Sequence, residues 1–142
     1  MSRKGMTGMI RLHKWQLDEK RRDMSDLEKM RADLQQNLTD LQVELIAEQK
    51  KVAESPVVSI SYAGYAQQVG VRRINIVNSI LEVEVSIEDM KDQLADAFKE
   101  LKKYEIVAQR ERQRKLTKRD RVQQAELDEM AISIHRRRQT MG

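Results

Sequence analysis

Seven basic side chains lie within twelve consecutive positions near the C-terminal end of the chain: Arg110, Arg112, Arg114, Lys115, Lys118, Arg119 and Arg121. The same twelve positions hold only two acids. Guanidinium and ammonium groups at this density can pair with the carboxylates of another macromolecule. The run therefore indicates binding to an acidic partner, and the alternative is a solvated helix face that binds nothing.

Apolar side chains recur at helical spacing beyond this run, at Leu116, Leu127, Met130 and Ile134. They lie on a side of the helix rotated by about 150° from the apolar stripe of the preceding residues, at 100° per residue. Such a stripe either recognises another protein or packs weakly in a dimer. Together the two features predict a partner-binding surface that comprises Arg110, Arg114, Lys115, Lys118, Arg121, Leu127, Met130 and Ile134.

Two tyrosines, Tyr62 and Tyr65, form a second candidate contact, close to the predicted turn between two helices. Tyrosine is a common anchor at protein interfaces. The alternative is that the two rings only fill the turn.

The sequence offers no residues for catalysis or for metal binding. It has no cysteine, and its two histidines, His13 and His135, are far apart without a third ligand. No glycine-rich phosphate loop and no nucleophile elbow occurs. We therefore expect no enzyme activity, no cofactor, no metal and no small-molecule substrate.

The composition is typical of long helices. Among 142 residues, 35% are charged, 4% are aromatic and one is proline. No apolar run reaches the length of a signal peptide or a membrane span. We expect a soluble, unprocessed protein.

The stretch from Ile80 to Ala108 lies between the two candidate partner contacts, and the helix that it forms must position both of them. Its apolar residues follow the alternating three-and-four spacing of a coiled coil and leave the other faces polar. The nine positions of this inner seam are Ile80, Val83, Ile87, Met90, Leu94, Ala97, Leu101, Tyr104 and Ala108.

A second seam in the N-terminal half supplies the partner for the first. It is interrupted by His13, Lys20, Arg31 and Glu48, and its apolar members are Ile10, Leu17, Met24, Leu27, Leu34, Leu38, Leu41, Leu45 and Val52. Ser55 and Pro56 mark the break, where serine is a preferred N-cap.

The two seams predict one all-α domain over 1–142, a long antiparallel two-helix coiled-coil hairpin with a projecting C-terminal helix. Helix one covers about 8–53, the turn about 54–58, and helix two runs to about 138, with a weak start over 57–70. Facing positions add up to 114, which places Met6 opposite Ala108, or alternatively to 121. Pairing between chains is a further alternative.

Three phrases of this chain, RLHKWQLDEKRR at 11–22, FKELKKYEI at 98–106 and QAELDEM at 124–130, resemble the flagellar export protein FliJ family, particularly its alphaproteobacterial members. The resemblance extends along nearly the whole chain. It implies a stalk that enters the pore of the hexameric export ATPase FliI, promotes assembly of the ring and contacts the cytoplasmic domain of the export gate FlhA.

The resemblance also implies a cytoplasmic protein at the inner face of the inner membrane, and contact with export chaperones in some members. On this sequence it makes the basic run Arg110 to Arg121 the candidate ATPase side, and Tyr62 and Tyr65 the candidate gate contact. We expect a monomer. The rival interpretations are the stalk of a virulence secretion system, a homodimeric scaffold and a nucleic-acid-binding protein, the last disfavoured by interleaved acids and few aromatics.

Overall fold

Two long helices make up the part of the chain that the structure describes. The computed structural model describes residues 3–55 and 59–141, of which α1 covers Arg3–Glu54 and α2 covers Ser59–Met141. No strand occurs in these two ranges. The predicted fold class, an all-α antiparallel helical hairpin, is confirmed.

The helix α1 begins at Arg3, earlier than the start at about residue 8 that the glycines suggested. Gly5 and Gly8 therefore lie inside the helix. Met6, which continues the seam spacing, and Met9 are half-buried. Their partial burial supplies packing that offsets the low helix propensity of glycine.

The chain divides into two compact units, and each contains a segment of both helices. The larger unit is Trp15–Phe98. The smaller unit combines residues up to Lys14 with residues from Lys99 onward.

In the larger unit, the seam residues of the two helices form a narrow core. Leu17, Leu41, Val83 and Ile87 are buried, and the other apolar seam residues of this unit are half-buried where the structure describes them. Ile87 is only 2% exposed. The spacing of three and four read from the sequence thus matches the observed burial.

A polar bridge explains how this core tolerates Lys20 at a seam position. The Lys20 Nζ donates to Gln93 Oε1 at 3.0 Å, across the two helices. The Gln93 amide in turn donates to Asp89 Oδ2 at 2.7 Å. The ammonium group therefore lies at the edge of the core, paired rather than buried alone.

In the smaller unit, Leu101 is buried, and Tyr104 and Ala108 are half-buried. Met6 and Ala108 line the same groove, as the register of 114 predicts. All nine predicted seam residues of α2, counted over both units, are thus buried or half-buried.

The contacts between helices also separate the two predicted registers. Lys20 and Gln93 have positions that add up to 113, and the stacked rings of His13 and Tyr104 have positions that add up to 117. Both sums are closer to 114 than to 121. The observed pairing therefore follows the register of 114.

Ser55, predicted as an N-cap of the second helix, lies at the end of α1, and residues 56–58, which would receive the cap, lie outside the described part of the chain. Its backbone N–H donates to the Lys51 carbonyl at 3.1 Å, so it closes the last turn of α1. The helix α2 begins at Ser59 and continues without interruption through Gly64 and Gly70. Pro56 and Val57, at the predicted turn centre, lie outside the described residues.

Candidate partner-binding surface

The C-terminal part of α2 forms an arm, defined here as residues 112–141, in which every residue is exposed. Glu111 is the last half-buried residue. The inner seam stops at this point because its next positions are occupied by Lys115 and Lys118. At the α-helical rise, the arm is about 45 Å long.

Four of the predicted basic residues lie on one face of the helix. Arg110, Arg114, Lys118 and Arg121 line a single shallow surface together with Gln113 and Thr117. Their spacing of four, four and three residues is that of neighbours along one helix face. On this face the Thr117 hydroxyl donates to the Gln113 carbonyl at 2.9 Å. This hydrogen bond involves none of the four basic side chains.

None of these four basic side chains forms an ion pair with a carboxylate in the described ranges. By contrast, Arg21, Arg22, Lys51, Lys91, Lys102 and Lys103 each pair with an acid three residues away on the same helix. The four charges are exposed and add to one another, which produces a positive stripe. Such a stripe can bind an acidic surface without first breaking contacts of its own.

Lys115 lines two shallow surfaces. One of them holds Lys118, Arg119 and Val122, so Lys115 adjoins the basic stripe at Lys118. The other is a groove at the end of the helix pair, which Lys115 lines together with Met6, Ala108 and Leu116.

The predicted apolar members of the surface are open to solvent. Leu127, Met130 and Ile134 are each more than half exposed. The nearby Gln124 amide donates to Asp128 Oδ1 along the helix at 3.0 Å. This hydrogen bond does not cover the apolar side chains. An arm with exposed apolar side chains over two turns gains free energy when a partner covers them.

The two tyrosines near the start of α2 contact each other. The ring centroids of Tyr62 and Tyr65 are 6.5 Å apart, with planes tilted by 42°. Both residues are half-buried. Both residues therefore keep part of their surface exposed, and Trp15, at 58% exposure, is more accessible than either.

The outer face of α2 carries an apolar stripe that the sequence interpretation missed. Its members are Val71, Ile74, Leu81 and Val85, all more than half exposed, with Asn78 between them. The signal was their three-and-four spacing, the same pattern that identified the inner seam.

The histidines lie where no metal site is formed. Residues 3–55 and 59–141 contain no group of three His, Cys, Asp or Glu side chains that could hold an ion. His135 is exposed and shares a hydrogen bond of 3.2 Å with Gln139. Neither helix, over its described length, has an apolar window long enough to cross a membrane.

Comparison with known proteins shows a similarity along most of the chain. The chain is 25% identical over 129 residues to the flagellar FliJ protein of Caulobacter vibrioides, in both strain NA1000 / CB15N and strain ATCC 19089 / CIP 103742 / CB 15. The match covers 91% of this chain and 93% of the relative. No family model matches the chain. No solved structure matches it either.

Proposed function

We propose that this chain is a non-enzymatic component of the flagellar protein-export apparatus, in which it acts as a coiled-coil stalk. The end-to-end similarity to a flagellar FliJ protein supports this proposal, because it extends over 91% of the chain. The helical hairpin supports it independently, since a stiff pair of helices can pass a movement from one of its ends to the other without a deep core. The stalk works at the cytoplasmic face of the inner membrane.

The basic stripe of Arg110, Arg114, Lys118 and Arg121 faces the hexameric export ATPase, FliI, in this proposal. The single observation that carries the assignment is that these cations are exposed and have no carboxylate partner in the described ranges. Acidic loops around the pore of a ring would complement them. The apolar residues Leu127, Met130 and Ile134 then supply the buried part of the contact.

The first turns of α2, at Tyr62 and Tyr65, contact the cytoplasmic domain of the export gate FlhA. The contact between the two rings and the partial exposure of both residues support this assignment. Tyrosine contributes a large contact area and a hydroxyl group at little cost in side-chain entropy. Export chaperones are further partners in this proposal.

Stimulation of the ATPase tests the proposal. Combined reversal of Arg114, Lys118 and Arg121 to glutamate should lower stimulation at least ~10-fold, because it replaces attraction by repulsion at the contact. The matched control reverses three exposed lysines without ion pairs elsewhere, Lys29, Lys50 and Lys99. Circular dichroism should show equal helicity for both variants.

Undiminished stimulation by the arm variant would show that the basic stripe is only a solvated face. Equal losses in the arm variant and in the control would show that net charge, rather than this surface, matters. A deletion strain complemented with each variant gives the same comparison through swimming motility.

A further inference from the structure

The helix α2 is apolar on two opposite faces between Val69 and Ile87. The inner face carries the seam residues Val69, Ile76, Ile80, Val83 and Ile87, which are buried or half-buried. The outer stripe consists of Val71, Ile74, Asn78, Leu81 and Val85. At 100° per residue, the two stripes lie about 170° apart.

The outer stripe is left uncovered within the larger unit. Val71 is 54% exposed, Ile74 61%, Leu81 54% and Val85 70%. Scattered apolar residues on a surface need no explanation, but four at seam spacing form a continuous strip. A helix that is apolar on both sides is normally covered on both sides.

Asn78, at the centre of the stripe, indicates what covers it. It is exposed, and its side chain makes no hydrogen bond in the described part of the chain. An amide has both donors and an acceptor, so it can pair with a second copy of itself. A single asparagine in a coiled-coil seam specifies an in-register, two-stranded pairing for this reason.

The residues around Asn78 fit the same arrangement. Val71, Asn78 and Val85 occupy the first position of the repeat, and Ile74 and Leu81 occupy the fourth. β-Branched residues at the first position and leucine at the fourth favour parallel dimers, and Val71, Val85 and Leu81 meet this preference. In an antiparallel pairing, Asn78 would face Ile74 or Leu81 of the other copy and its amide would lose hydrogen bonds.

We propose that the outer stripe is a dimerisation surface for a second copy of this chain, with the two α2 helices parallel and in register. Each stripe residue lies opposite its own equivalent, and the two Asn78 amides bond to each other. The expectation of a monomer rests on the inner seam alone, and the residues of that seam pack against the other helix of the same chain. The dimer does not depend on the proposed export function.

Acidic residues limit the length of this interface. Glu84, Glu88, Asp89 and Asp92 lie at or just beyond the end of the stripe, and a parallel dimer brings them near their own equivalents. The repulsion ends the pairing at Val85 and makes the dimer weak and dependent on protein concentration. Salt screens such repulsion, so the dimer should strengthen as salt is added. If a basic helix of another protein covered the stripe instead, added salt would weaken its binding.

Sedimentation of the full-length chain tests the proposal. Between about 1 µM and about 100 µM the average mass should rise from 16.7 kDa towards twice that value, by mass action. Leu81→Glu should abolish the rise. The control Val43→Glu, on α1 at 62% exposure, should leave it unchanged. A chain that stays monomeric throughout, or a dimer that survives Leu81→Glu, would overturn the proposal.

Disulfide trapping tests the parallel register, because the native chain has no cysteine. The Val85→Cys variant should form a covalent dimer with itself on mild oxidation, since equivalent positions adjoin in a parallel pair. A mixture of Ile74→Cys and Val85→Cys chains should give only the two self-linked products. Preferential cross-linking of one variant to the other would show an antiparallel pairing and contradict the proposed register.

Discussion

The imidazole ring of His13 stacks on the phenol ring of Tyr104, with centroids 4.7 Å apart and planes inclined by 22°. His13 interrupts the apolar seam of α1, and Tyr104 belongs to the seam of α2. The polar interruption is thus covered by an aromatic ring from the other helix. Stacked rings contribute free energy beyond the area that they bury.

A double-mutant cycle measures this contact. We expect a coupling free energy of about 1 kcal/mol between His13→Ala and Tyr104→Ala, from chemical denaturation of the two single variants and the double variant. Additive losses of stability would show that the two rings are neighbours without a stabilising interaction.

Ile87 provides the strongest single test of the inner seam. Replacing it with alanine should lower the free energy of unfolding by about 2 to 5 kcal/mol, because the side chain is fully buried. The control Val43→Ala, on the exposed side of α1, should change it by no more than about 0.5 kcal/mol. Both are measured by urea denaturation at one protein concentration. Similar losses for the two variants would contradict the assigned seam.

The glycines of α2 offer stabilising substitutions. A Cβ atom added at Gly64 or Gly70 would meet no heavy atom within 4 Å. Alanine at either position should raise the free energy of unfolding by roughly 0.5 to 1 kcal/mol, because it removes conformational freedom from the unfolded chain. Thermal denaturation followed by circular dichroism checks this. Destabilisation would indicate that the backbone there departs from a regular helix.

The ammonium group of Lys103 donates to Glu100 Oε1 at 3.0 Å. This hydrogen bond, followed by the charge of Glu100, raises the pKa of Lys103 above its usual value. Glu100→Gln should therefore lower the Lys103 pKa, as measured from the pH dependence of its Cε chemical shift by NMR. Glu88→Gln is the control and should leave that pKa unchanged.

The sign of the pH dependence follows from the raised pKa. The Lys103–Glu100 pair contributes to stability at pH values below the unfolded-state pKa of about 10.4. The contribution is lost as pH rises through the higher folded-state pKa. A stabilisation that appeared only on raising the pH would contradict this assignment.

The inner seams could be predicted from the sequence because coiled-coil burial follows from local periodicity. Ile80 to Ala108 had nine apolar positions in succession, and each is buried or half-buried. The choice between the registers of 114 and 121 requires contacts between the two helices. The contacts of Lys20 with Gln93 and of His13 with Tyr104 provide them.

Other features could not be read from the same pattern. The role of Ser55 depends on which helix its amide joins, and capping preferences alone do not distinguish the two. Sequence proximity does not show that Lys115 lines one surface with Lys118 and a second one with Met6 and Ala108. The outer stripe does not stand out in the sequence, because the polar residues interleaved with it are also typical of the solvent-exposed face of a helix with a single seam.

Hydrogen–deuterium exchange of the full-length chain, with and without the hexameric export ATPase, tests the central claim most directly. We predict that amides of residues 112–134 exchange rapidly in the free chain and become protected in the complex, while those around Leu27 to Leu45 do not change. Binding without any added protection of the arm would contradict the account, because the ATPase would then contact another surface.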